Sequence, residues 1–110
     1  MEQKTELKQI KNQLVINARR WFDKVNGNTY HAVQVFDGNE LIAKKGGLNY
    51  GYGEHYRQTA FEELIKVGYY SAEKRENGTY ISYSKFQDDL RKALVFCNDM
   101  SRQKDLKEWD

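Results

Sequence analysis

The chain has 110 residues, near the commonest size for one domain and enough for one core but not two. Hydrophobic residues make up 39%, with eight Tyr, five Phe and two Trp among them, a composition too aromatic for a disordered chain. Eighteen basic and sixteen acidic residues are largely interspersed, and the net charge of +2 does not announce nucleic acid as a partner, so any anion site must come from local clustering.

No apolar stretch approaches the roughly 18 residues that a membrane-spanning helix needs, and proline is absent. The charged start, Met1 to Lys8, lacks the apolar core of a secretory signal, which makes the cytoplasm the expected location. Residues 1–12 read as a lead-in or a short weak helix, with Leu7 and Ile10 as its apolar residues. From residue 13 to 23 the pattern alternates, Leu14, Ile16, Ala18 and Phe22 against Val15, Asn17, Arg19 and Trp21, and predicts a strand. Asn26-Gly27-Asn28 and Asp37-Gly38 are turn signals on either side of the β-rich run Thr29 to Phe36, and a third strand follows over residues 39–44.

Four glycines within residues 46–53 predict a loop. Tyr56, Ala60, Phe61, Leu64, Ile65 and Val67 recur at helical spacing before Gly68 and predict a helix over residues 54–67. Ser84 and Gln87 fit a capping box for a second helix that gives way near Lys92 to a final strand, Ala93 to Cys97, where the single cysteine reads as a buried structural thiol. Ser101 to Asp110 reads as a polar C-terminal tail, or as an oligomer contact through Trp109. The order predicts an α+β domain over residues 13–100, an antiparallel three-stranded meander followed by two helices and a final strand, with the helices on one face of the sheet.

His31 and His55 fall on different elements with no cysteine near them, so neither a metal site nor a cofactor is expected. No nucleophile motif is present, and the chain reads as a binding protein, not an enzyme. Two clusters invite a ligand. In the first, the loop Tyr50-Gly51-Tyr52-Gly53 leads into a helix that carries His55, Tyr56, Arg57, Gln58 and Thr59, and a glycine-rich loop before a helix offers N–H groups to an anion. That spacing fits neither a Walker loop nor a dinucleotide fingerprint, and a plain connection whose tyrosines cover the helix start explains it equally well. The second cluster gathers Arg19, Arg20 and Trp21, Tyr30 and His31, Lys44 and Lys45, and Arg102 and Lys104, a combination that suits phosphates and nucleobases. Since neighbours on a strand point to opposite faces, only one of Arg19 and Arg20 can join a given cluster.

The runs Ala18-Arg19-Arg20-Trp21-Phe22, Gly27-Asn28-Thr29-Tyr30-His31, Tyr50 to Gly53 with Tyr56, Gln58, Thr59 and Ala60, and Ser101-Arg102 with Lys104-Asp105-Leu106 together resemble a family of small phage and prophage proteins of unassigned function. The resemblance covers roughly residues 14–106 and implies a phage accessory protein, acting in the host cytoplasm. Among such proteins are antagonists of bacterial immunity, so the leading expectation is a nucleotide-sequestering protein, with a blocker of a defence protein next and a nucleic-acid binder third. Sequestration requires Arg19 or Arg20, Tyr30 or His31, and the glycine loop to meet at one concave site, for which a homo-oligomer interface offers more room than a small domain alone. A blocker requires an exposed apolar patch or an acidic one, such as Asp88-Asp89 or the 105–110 tail.

Overall fold

A computed structural model describes residues 6–110. Strands β1 (Leu14–Asp23), β2 (Asn28–Asp37) and β3 (Glu40–Tyr50) form the antiparallel meander. Helices α1 (His55–Lys66) and α2 (Tyr83–Arg91) follow, then β4 (Leu94–Met100) and a short α3 (Lys104–Lys107). The sheet order is β3-β2-β1-β4, and β4 joins the edge of β1 in parallel. A final strand after the helices and an α+β class are therefore as the segment order implied. No helix of the described residues is long and apolar enough to cross a membrane.

Alternation in β1 sends Leu14, Ile16 and Ala18 into the core with Val33 and Val35 of β2 and Ala43 of β3. Against them lie Tyr56, Ala60, Phe61 and Leu64 of α1, all at most 5% exposed. Phe61 is also the hub that attaches α2: its ring lies 4.8 Å from Phe86 and within 5.6 Å of Tyr70, Tyr80 and Tyr83. The buried Tyr70 hydroxyl donates to Asp89, and burial, reinforced by that carboxylate, pushes its pKa up.

Several boundaries differ from expectation. β3 runs on through Gly46 and Gly47 to Tyr50, so five of the eight residues of the expected loop, 46–50 of 46–53, are strand. A register shift against β2 between His31 and Val33 absorbs the glycines, a second one falls at Ile42, and Gly47 has φ +77°, the positive value that bulges accommodate. Ser84 does not cap α2; the helix starts at Tyr83, and the hydroxyl of the preceding Ser82 donates to the Ser71 carbonyl instead. The lead-in over residues 6–10 is not helical, while its residues 1–5 lie outside the described part. It is pinned by Asp37, whose carboxylate accepts from the Lys11 and Asn12 N–H groups at 2.8 Å and is thereby held below the usual carboxylate pKa. Cys97 faces the core but is only half-buried, because β4 is an edge strand.

The largest departure concerns residues 101–110, which were expected to trail as a polar tail. They cross the sheet face opposite α1. Leu106 is fully buried there, and so is Ala32, whose side chain points away from α1. The Arg19 guanidinium lies 4.4 Å from the centre of the Trp109 ring and donates to the Asp105 carbonyl at 2.9 Å. Lys44 donates to the Asp110 carbonyl at 3.1 Å. Gly46 makes this docking possible, since a Cβ there would stand 2.5 Å from the Asp110 nitrogen.

Candidate functional site

β1 ends, β2 begins, and β3 runs into the glycine loop at one end of the sheet, so the chain topology alone collects the motif residues there. The pleat then sorts them by face. Arg20 pairs with His31 across β1 and β2, and both side chains point to the α1 side. Trp21 pairs with Tyr30, and Tyr30 with Tyr50, on the opposite side. Arg19 and Arg20 therefore diverge, as adjacent strand residues must. The two clusters do not form one face.

On the α1 side the contacts are specific. His31 is fully buried. Its Nδ1 lies 3.3 Å from the Gly51 carbonyl, and its Nε2 lies 2.6 Å from the Thr59 hydroxyl. A carbonyl can only accept, so Nδ1 carries the proton and the Thr59 hydroxyl donates to Nε2. Arg20 donates to the Gly53 carbonyl at 2.8 Å and pairs with Asp99 at 2.9 Å. The loop is thus clamped at two carbonyls, Gly51 by His31 and Gly53 by Arg20. Gly51 has φ +146°, and a Cβ on it would fall 2.5 Å from the His55 ring, so only glycine fits.

Next to this clamp is a concavity of about 340 Å³ lined by Arg20, Phe22, Thr29, Gly53, Asp99 and Met100. Phe22 is 52% exposed, and Tyr52, on the loop between the two clamped carbonyls, is 80% exposed. Phe22, Thr29, Asp99 and Met100 were not among the candidate site residues read from the sequence, although the even parity that Phe22 shares with Arg20 was a usable signal. Another concavity, about 350 Å³, lies at the far end of the sheet among Lys8, Gln13, Tyr69, Lys85 and Lys92 and includes none of the candidate residues.

Other candidates have different placements. Tyr56 belongs to the core at 5% exposure, which removes it from any ligand surface, and Thr59 is likewise buried under His31. His55 is exposed with its ring 5.5 Å from that of His31, and Gln58 is half-buried on α1. Arg19 is occupied by the C-terminal segment, Arg102 pairs with Asp105 at 3.0 Å, and Lys104 is exposed on α3. On the face away from α1, Trp21 and Tyr30 stack at 6.0 Å, and Tyr50 meets Tyr30 edge-on at 5.9 Å. Among the described residues no group of three His, Cys, Asp or Glu side chains is gathered to hold a metal ion.

Burial lowers the His31 pKa, with the neighbouring His55 adding to the effect and the Gly51 carbonyl opposing it. The unfolded value is about 6.5, so the unfolded chain takes up this proton first as pH falls. The His31 contribution to stability is whole above that value and is lost as pH drops from it through the folded-state pKa. Asp37 and Asp105 are held below the usual carboxylate range, chiefly by the Lys11 N–H and by Arg102, and act only at lower pH. The melting temperature should therefore fall between about pH 7 and pH 5, and less steeply in His31→Gln. Parallel slopes for the two proteins would exclude His31 as the source.

Protein-family models, curated protein sequences and solved structures contain no match to this chain.

Proposed function

We propose that the protein is a non-enzymatic binding protein that sequesters a nucleotide at the end of the sheet, with the ligand phosphate against Arg20 and the ring against Phe22 and Tyr52. The observation that carries the reading is the position of Arg20. It is the one candidate cation that both lines a concavity and holds the glycine loop, through the Gly53 carbonyl. A guanidinium presents a fork of donors that matches phosphate oxygens, and the flanking Asp99 is 75% exposed and free to yield its place. An aromatic ring beside such a cation suits a nucleobase. The resemblance to phage accessory proteins supplies the context, in which such binding withdraws a nucleotide signal from a host defence.

The test is a thermal-shift screen against linear and cyclic nucleotides, followed by titration of Arg19→Ala and Arg20→Ala. A ligand that binds the folded state raises the melting temperature by mass action. Loss of a charge-assisted hydrogen bond costs about 1.5–3 kcal/mol, so Arg20→Ala should bind about 10- to 100-fold more weakly. Arg19→Ala, on the other face, should keep its affinity while melting earlier. Equal affinity losses in the two variants would remove Arg20 from the binding role. No shift with any nucleotide would transfer the function to a protein partner, for which the row Leu41, Phe36, Val15 and Leu94 across the sheet face is the available surface.

A further inference from the structure

The two edges of the sheet are treated differently. β3 carries two register shifts and the adjacent Lys44 and Lys45, which obstruct another strand. β4 has none of these. Its seven residues, Leu94-Val95-Phe96-Cys97-Asn98-Asp99-Met100, include no lysine, arginine or proline and pair with β1 without a shift. Among the described residues no element pairs with its outer side, where backbone N–H and C=O groups are left to solvent. Leu94 and Phe96, on the face away from α1, are 50% and 51% exposed. Such an edge is a template for strand addition.

We infer that β4 pairs antiparallel with β4 of a second copy, joining two four-stranded sheets into one of eight strands. The charge pattern selects this occupant and direction. The strand is preceded by Lys92 and by Arg91, which shares an exposed pair with Asp88, and has near its other end Asp99, which pairs with Arg20 but is 75% exposed. An antiparallel partner of the same sequence brings Arg91 and Lys92 of each copy to Asp99 of the other, whereas a parallel one sets Lys92 beside Lys92 and Asp99 beside Asp99. A two-fold axis at Val95 sets Leu94 of each copy across from Phe96 of the other and keeps both α1 helices on one side of the joined sheet. The open apolar row, Leu41-Phe36-Val15-Leu94, then continues across the junction instead of ending at it. A two-fold pairing also closes, since the outer edges of the joined sheet are the obstructed β3 strands. The inference stands independently of the ligand proposed above.

Sedimentation velocity across about 1 μM to 1 mM, a range that brackets ordinary homodimer affinities, tests it together with the double variant Leu94→Lys, Phe96→Lys. The wild type is expected to move with concentration from the 13.0 kDa chain mass to twice that value, and the variant to stay at the chain mass with a cooperative melt. Both replaced side chains are half-exposed, which favours folding of the variant. Hydrogen exchange on the wild type alone supplies the second readout: amides of residues 94–100 should gain protection as concentration rises. A wild type that stays monomeric, a folded variant that still dimerises, or β4 amides indifferent to concentration would each overturn the pairing.

Discussion

Replacing Phe61 by alanine is expected to lower folding stability by about 3–5 kcal/mol, a large fraction of the about 5–15 kcal/mol available to a domain. The ring is fully buried on α1 and touches aromatic neighbours from three separate segments: Tyr70 after α1, Tyr80 in the loop before α2, and Tyr83 and Phe86 on α2. Each aromatic pair adds about 0.5–1.5 kcal/mol beyond area burial. The loss falls most heavily on α2, which reaches the core through this cluster. Urea unfolding should show a lower midpoint at unchanged slope, and the near-ultraviolet circular dichroism of the tyrosines should weaken. An unchanged midpoint would mean that α2 is held by something else.

Leu106→Ala is expected to cost about 2–5 kcal/mol, although this residue stands among charged neighbours in a four-residue helix. Leu106 is fully buried on the sheet face, and its removal loosens the segment that also carries the Asp105 carbonyl and the Trp109 ring to Arg19. Lys104→Ala, exposed on the same helix, should stay within about 0.5 kcal/mol of the wild type and serves as its control. If both variants melted alike, residues 101–110 would not be docked.

The meander was legible because its signals are local: the alternation of Leu14, Ile16 and Ala18, the turns at Gly27 and Gly38, and the helical recurrence from Tyr56 to Val67. The divergence of Arg19 from Arg20 followed from the pleat alone. What escaped depended on remote partners. Gly46 and Gly47 look like loop residues in sequence, yet they sit in a strand, Gly46 where the C-terminal main chain leaves no room for a side chain and Gly47 at a bulge with φ +77°. The docking of residues 101–110 rests on Leu106 and Trp109, too few apolar residues to give a periodicity. At the candidate site, Tyr56 and Thr59 looked like ligand contacts because they lie next to the glycine loop in sequence, but the helix turns them toward the core.

The parallel pairing of β1 with β4 also bears on the order in which the protein acquires its structure. Val15 and Leu94, which are partners in that ladder, are separated by the rest of the meander and both longer helices. Closing so long a loop costs entropy that short hairpins avoid, so the meander can form early while β4 waits for α1 and α2. Until then β1 is itself a bare edge, and the sheet face later covered by Leu106 is open to water. Nascent chains that have passed residue 50 but not yet residue 100 are thus the species most exposed to wrong association, and the most dependent on chaperones.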